Sequence, residues 1–280
     1  MAEWEPCIQN YLGFPDGIHG RDLLARGREQ VRRFGVQEIL DDVARIQRTS
    51  EGFVLESTNH SYRARKVLLA TGLTHLLPDL PGADACLGHS VLFCKDCDAY
   101  RVQGRPIVIY GRQNEAARYA LAMLAFSPSV SILTDGKPPA WSALWREHLM
   151  EYGVPVRPEP VSELVHEGGQ LRAVRFHGGP PCDAQALFAT RGDVYHTGLA
   201  EGLGALRDEE GQLVIDADMR TTVPGLYAAG CVTPANCQMV IAAGQGATAA
   251  QAVNRDLFTE HLLHHRLPRF DASAHETSAA

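Results

Sequence analysis

No stretch of this chain approaches the roughly 20 consecutive apolar residues that a helix needs to span a bilayer. Its first residues, Met1 to Gln9, contain Glu3 and Glu5 and no apolar segment of the kind a signal peptide carries. No membrane association is therefore expected, and a cytoplasmic, reducing setting is. Positive charge is not in excess either. The formal net charge is −7, so no global field invites nucleic acid. The basic runs Arg26-Gly27-Arg28 and Arg63-Ala64-Arg65-Lys66 read as solvated faces. The 12 histidines show no metal-ligand spacing. Gly-x-Ser-x-Gly and Walker loops are missing, as are internal repeats and long low-complexity segments.

Cysteine is scarce, with seven at positions 7, 86, 94, 97, 182, 231 and 237. An odd, scattered set in a reducing compartment argues against a disulfide framework. The exception is Cys94-Lys95-Asp96-Cys97-Asp98, between the apolar strands Val91-Leu92-Phe93 and Pro106 to Tyr110. Thiols three positions apart can close a small disulfide, one attacking and the other resolving a mixed disulfide. A zinc half-site is an alternative, but Cys231 and Cys237 are poorly spaced to supply its second half. An inert buried pair is another. Asp98 can exchange the proton that a leaving thiolate needs, or it is an exposed loop residue.

With 45% apolar residues over 280 positions, the chain can bury a sizeable core or two domains sharing a seam. Three segments run from an apolar strand into glycine: Lys66 to Gly72, Ile107 to Gly111, and Gly225 to Gly230. The second leads into a helical run from Glu115 to Ala125, the third into one from Val240 to Leu257. Further helices are expected over Arg21–Phe34 and Trp141–Tyr152, and strands over Val54–Ser57 and Gln170–Phe176. Strands alternating with helices predict an α/β fold with parallel sheets and ligands at their carboxyl ends. The tail from Asp271 to Ala280 is small and polar and expected to be disordered.

Gly111-Arg112-Gln113-Asn114-Glu115-Ala116 occupies the place of a dinucleotide phosphate loop, with Gly111 at the tight turn and Ala116 at the helix-packing position. Gln113 stands where the middle glycine belongs, which makes the motif weak. The next strand, Val130 to Leu133, ends in Thr134-Asp135-Gly136. Asp135 could accept from a ribose 2′-hydroxyl and would repel a 2′-phosphate, so NADH fits better than NADPH. A plain turn through Pro139 is the alternative.

The order and spacing of these stretches resemble the low-molecular-weight thioredoxin reductases and their flavoprotein relatives. Asn10 to Pro15, Lys66 to Gly72, Cys94 to Asp98 and Pro224 to Gly246 carry the likeness, which extends from about Asn10 to Leu263. The resemblance implies two Rossmann-like three-layer domains, the second inserted in the first. Residues 1–87 and 198–265 would form the flavin domain, 88–197 an NAD(P)-type domain holding the cysteine pair, and 266–280 a tail. It implies a hydride passing from NADPH to FAD, then to the cysteines, then to the disulfide of a thioredoxin-like protein or small molecule. Cys97 would face the flavin, Cys94 would attack the partner, and Asp98 would be the acid. Asn10, Ala70, Thr71, Gly72, Gly230, Cys231 and Gln238 match positions lining the flavin, while Gly111, Asn114, Glu115 and Asp135 fall on the nicotinamide side. A homodimer is expected.

Three departures from the family pattern stand out. The chain starts after the strand and Gly-x-Gly-x-x-Gly loop that hold the FAD pyrophosphate, as a shortened product or a mis-called start would, with unpaired sheet edges as the expected result. The usual Gly-Asp pair reads Gly230-Cys231. The His-Arg-Arg grip on the NADPH 2′-phosphate reads Thr134-Asp135-Gly136. The last two resemble branches using other electron donors, ferredoxin-linked reductases and oxygen-using dithiol oxidases among them. A flavin-free module for binding or thiol sensing is the other expectation.

Overall fold

The computed structural model describes residues 5–269, so the expected tail from Asp271 lies outside the described residues. Helix α1 (Gly20–Arg33) precedes β1 (Val43–Thr49), β2 (Gly52–Ser57), β3 (Ser61–Ala64), β4 (Val67–Leu69) and β5 (Leu73–His75). Then come α2 (Ala83–Cys86), β6 (Val91–Leu92), α3 (Lys95–Asp98), β7 (Ile107–Tyr110), α4 (Asn114–Met123), β8 (Val130–Leu133), α5 (Ala143–Glu151) and β9 (Val156–Arg157). The rest is β10 (Val161–Glu167), β11 (Gln170–Phe176), β12 (Cys182–Asp183), β13 (Ala186–Ala189), β14 (Asp193–Tyr195), α6 (Gly198–Glu201), β15 (Leu226–Ala228) and α7 (Met239–Leu263).

The chain forms two compact units. Of the described residues, the first takes 5–37 together with Thr74–Val194, and the second takes Glu38–Leu73 and 195–269.

The first unit is built on a parallel sheet of order β6-β13-β7-β8-β9. Every residue of β7 and β13 is buried, as expected of a parallel sheet covered on both faces. Alternation along β7 sorts its side chains to opposite faces. Ile107 and Ile109 meet Ala116, Ala117, Ala120 and Met123, the apolar stripe of α4, together with Trp141 and Leu149. Val108 and Tyr110 meet Leu164, Leu171 and Val174 of the antiparallel sheet β10-β11-β12. The result is three layers, helix on parallel sheet on antiparallel sheet. Helix α4 ends two residues earlier than the sequence pattern predicts. Its last turn closes with Ser127 N–H donating to the Met123 carbonyl, just before Pro128, which disfavours helix at the preceding residue.

The second unit has an antiparallel sheet β1-β2-β3 and a parallel pair, β15 with β4. A cluster of Ile46, Phe53, Val67, Leu69, Leu213, Leu226 and Ala228 fills it. Among the described residues β4 pairs with β15 alone, so its far edge carries no neighbouring strand. Polar ties fasten β15 to α7. Arg220 Nη2 and Nε donate to the two carboxylate oxygens of Asp256 at 2.8 and 3.1 Å, and the buried Tyr227 hydroxyl donates to the same carboxylate. Helix α7 runs to Leu263, beyond the expected stop near Leu257, because no glycine or proline follows Leu257 until Pro268.

The structure is of the expected α/β class with parallel sheet. Among the described residues, no helix is long and apolar enough to cross a membrane.

Candidate functional site

Cys94 and Cys97 are joined by a disulfide with 5.3 Å between their Cα atoms. Local backbone explains the closure. Leaving β6, the chain turns into the single helical turn α3, with Cys94 in extended conformation as its N-cap. Cys97 N–H donates to Cys94 Sγ at 3.1 Å, and Asp98 N–H donates to the Cys94 carbonyl at 3.1 Å. One helical turn thus brings residues three apart together. The Tyr119 hydroxyl donates to the Phe93 carbonyl at 3.0 Å, and Phe93 stacks on His75 with 4.6 Å between rings. Both cysteines are half-buried, so the pair sits on a fixed platform with access to solvent.

Asp98 is not an exposed loop residue, being only 5% exposed. Its carboxylate lies 3.0 Å from Arg101 Nη2, and Glu5 lies 3.9 Å from Arg101 Nη1. The Arg101–Asp98 approach is an ion pair rather than an aligned hydrogen bond, since Nη2 has no hydrogen-bond partner. Burial pushes the Asp98 carboxyl above its ordinary range, with Arg101 opposing. Glu5 is also raised, first by burial and then by the charge of Asp98. Two carboxyls that hold protons more tightly than free ones, flanking one guanidinium, form a group able to store and return a proton. Glu5 and Arg101 gave no motif signal. Glu5 is far from the pair in sequence, and only the fold brings it near.

The zinc alternative finds no support in geometry. The two sulfurs are bonded to each other, and among the described residues no cluster of metal-ligating side chains occurs. The expectation of no further disulfide is overturned. Cys231 and Cys237 are also bridged, with Cα atoms 5.0 Å apart, because the loop between β15 and α7 folds back on itself. A separation of six residues fits no common motif, so the sequence held no signal for it.

At the carboxyl ends of β7 and β8 lies a cavity of about 180 Å³. Gly111 and Gln113 line it, as do Thr134, Asp135 and three cations, Arg112, Lys137 and Arg191. A Cβ on Gly111 would fall 2.1 Å from Thr190 Oγ1 and 3.1 Å from the Thr190 carbonyl oxygen, so a side chain there would have to displace Thr190. Asp135 also has a structural role. Its Oδ2 accepts from the Tyr110 hydroxyl at 2.7 Å and its Oδ1 accepts from Val161 N–H at 2.9 Å. Both oxygens are thus engaged in tying β7 to β10, at a residue with φ of +53°. Asn114 and Glu115 are likewise engaged within the protein: Asn114 accepts from Ser142 N–H at 2.8 Å, and Glu115 takes two bonds from Arg118 at 3.0 and 2.8 Å. Arg191 was missed because it follows β13, far from the Thr134-Asp135-Gly136 segment. Its guanidinium donates to the Leu77 carbonyl at 2.7 Å.

In the second unit, β4 and β15 run side by side, Leu69 opposite Ala228, and Ala229 N–H donates to the Leu69 carbonyl at 3.0 Å. Their carboxyl ends therefore place Ala70-Thr71-Gly72 beside Ala229-Gly230. Gly72 has φ of +66° and open space where a Cβ would stand. Gly230, also at positive φ, donates its N–H to Gln245 Oε1 at 2.7 Å. Gln238 is the N-cap residue of α7, which begins after the Cys231–Cys237 loop. Open glycine backbone and a long helix's N-terminus suit the polar edge of a nucleotide cofactor. Asn10 belongs to the first unit.

A closely spaced disulfide on a parallel α/β scaffold places the chain among the disulfide oxidoreductases. The model of the pyridine nucleotide-disulphide oxidoreductase family matches residues 6–253, and the chain belongs to that family, as a flavoprotein-type oxidoreductase of thioredoxin reductase-like kind. The thioredoxin reductase of Streptomyces coelicolor is 31% identical over 254 residues, covering 87% of this chain and 78% of its own length. The crystal structure of HlmI superposes with a TM-score of 0.88 at 28% identity, covering 100% of this chain and 86% of that one. The thioredoxin reductase of Streptococcus pyogenes shares the fold, with a TM-score of 0.86 at 23% identity over 91% of this chain and 86% of that one.

Proposed function

We propose that the chain is a thiol–disulfide oxidoreductase whose working group is the Cys94–Cys97 pair. The observation that carries this reading is the half-buried disulfide held as the cap of α3 beside the buried Asp98. Two electrons and two protons convert the bridge into two thiols. The Cys94 thiolate then attacks a disulfide of a thioredoxin-like protein or small molecule, forming a mixed disulfide and releasing one partner thiolate. Cys97 resolves it, the bridge re-forms, and the partner leaves as a dithiol. Asp98, its proton held by burial and its anion steadied by Arg101, gives a proton to the departing thiolate and recovers it on the return. Glu5, on the other side of the same guanidinium, is coupled to Asp98 by charge, so ionisation of one disfavours ionisation of the other.

The two-electron supply is assigned to FAD, with Thr71, Gly72, Gly230 and Gln238 as the residues that would hold it. When bound, a flavin supplies a store for one electron pair. The nicotinamide donor is NADH or NADPH bound at the cavity with Arg112, Lys137 and Arg191, whose charges suit phosphate. A second reading, a dithiol oxidase passing electrons to oxygen, is favoured by one observation: the Asp135 carboxylate is already committed to Tyr110 and Val161.

The test uses the full chain supplemented with FAD. Disulfide reduction is followed with NADPH, NADH or a dithiol as donor, alongside oxygen uptake. Turnover that falls at least about 10³-fold in Cys97→Ser supports the working pair. Unchanged turnover in that variant overturns it. Oxygen uptake with dithiol and none with either nicotinamide selects the oxidase.

A further inference from the structure

We infer that Cys231–Cys237 is a second exchangeable disulfide, opened by soluble dithiols independently of Cys94–Cys97. It lies wholly within the second unit, on the loop between β15 and α7.

Its position argues against a simple staple. A disulfide stabilises mainly by closing a long loop in the unfolded chain, and six residues of separation close a short one. The loop's first half is also fixed by other means. Val232 and Thr233 are fully buried. Leu213 N–H donates to the Val232 carbonyl at 2.9 Å, Gln212 Nε2 donates to the Thr233 carbonyl at 2.6 Å, and the Thr233 hydroxyl donates to the Gly230 carbonyl at 2.8 Å. Breaking the bridge leaves these bonds in place, so Cys231 stays where it is while the side carrying the exposed Pro234 and Asn236 can give.

The two sulfurs are chemically unequal. Cys237 immediately precedes Gln238, the N-cap of a helix of 25 residues. The partial positive charge of that helix end favours an anion there, and hence a Cys237 thiolate over a thiol. A lower-pKa thiolate is the better leaving group. Both cysteines are half-buried rather than sealed, so an external thiolate can reach the bridge.

The exchange then runs as follows. One thiolate of an external dithiol attacks Cys231 Sγ, breaking the bond to Cys237 and releasing Cys237 as thiolate at the helix end. A mixed disulfide to Cys231 results. The reagent's second thiolate attacks its own sulfur in that mixed disulfide, closing the reagent into a cyclic disulfide and freeing Cys231. Both protein sulfurs take up the protons that the reagent gave. One electron pair has passed from dithiol to protein, and a cyclic disulfide returns it by the reverse route. The partner class is a small vicinal dithiol, or a protein presenting one.

Differential alkylation with peptide mapping tests this on the full native chain, because it reads each pair separately without substitution. One alkylating reagent is applied before dithiothreitol and a second after it. The expected result is a bridged 231–237 peptide in the air-oxidised protein. Both sulfurs become labelled within minutes of native treatment with dithiothreitol, and the bridge re-closes with oxidised dithiothreitol. The same outcome is expected in Cys94→Ser/Cys97→Ser, which separates this proposal from the assignment of the first pair. Cys231 and Cys237 found labelled in the air-oxidised protein would overturn it. So would a bridge that opens only after denaturation, or one that opens in the native chain but not when the first pair is removed.

Discussion

The two parallel sheets of this chain start from the same local pattern, an apolar strand running into glycine, and end very differently. In the first unit, β7 is covered on both faces and Ile109 is 0% exposed. In the second, β4 has one strand neighbour and Leu68 is 38% exposed. Helix α4 buries Ala116, Ala117, Ala120 and Met123 within 10 residues, while α7 buries only Ala249 and Ala252 in 25. One unit's sheet is closed by apolar layers on both faces, while the other has an apolar core but leaves the edge of β4 uncovered and ties α7 on by ions. The difference teaches that a strand–glycine signature reports a sheet's topology and says little about how completely it is covered.

The contrast can be broken by substitution. Ile109→Ala leaves a cavity between full layers and is expected to cost about 2–5 kcal/mol, read from the denaturation midpoint of Trp141 and Trp145 fluorescence. Leu68→Ala should change hydrogen exchange of β4 and β15 by less than about 1 kcal/mol, in keeping with its exposure. Equal costs would erase the distinction. Asp256→Ala removes the partner of Arg220 and of the buried Tyr227 hydroxyl. It should loosen β15 and α7 by about 1–3 kcal/mol while leaving the first unit's exchange unchanged. Asp135→Gly strands the Tyr110 hydroxyl and Val161 N–H but relieves the positive φ. A smaller loss of about 1 kcal/mol is expected, confined to the first unit.

Acid should sharpen the comparison without any substitution. Asp256 is held down at about 2, first by Arg220, against 3.8 for the free group. Its contribution is present above that ordinary value and is lost as pH falls from about 4 through about 2. Asp98 moves the opposite way, its proton held by burial. Its neutral form is the favoured one, so its contribution is full below the ordinary carboxylate value and lost as pH rises through the raised one. Hydrogen exchange followed from pH 5 to pH 2 should therefore show β15 and α7 opening before β7. The reverse order would contradict the assignment of the two carboxylates.

Much of this was legible in the chain. Three-residue spacing picked out Cys94 and Cys97, since one helical turn is a local matter, and the strand–glycine runs located β4, β7 and β15. What stayed hidden depends on distant chain segments meeting. The burial of Asp98 needs the first unit's packing, and its proximity to Glu5 through Arg101 spans most of a hundred residues. The structural ties of Asp135 stayed hidden because Tyr110 and Val161 are brought to it by two other strands. Arg191 was invisible as a pocket cation for the same reason. The Cys231–Cys237 bridge is local, yet its turn obeys no common spacing rule.

Gly111 has an implication for how such chains are classified. Thr190, just after β13, crowds the volume that a larger residue would occupy, so glycine is favoured there whether or not a coenzyme ever docks. A lineage could abandon its pyridine nucleotide altogether and still keep that fingerprint position intact. Retention there measures interior crowding, and donor preference has to be sought in the positions that crowding leaves at liberty to drift.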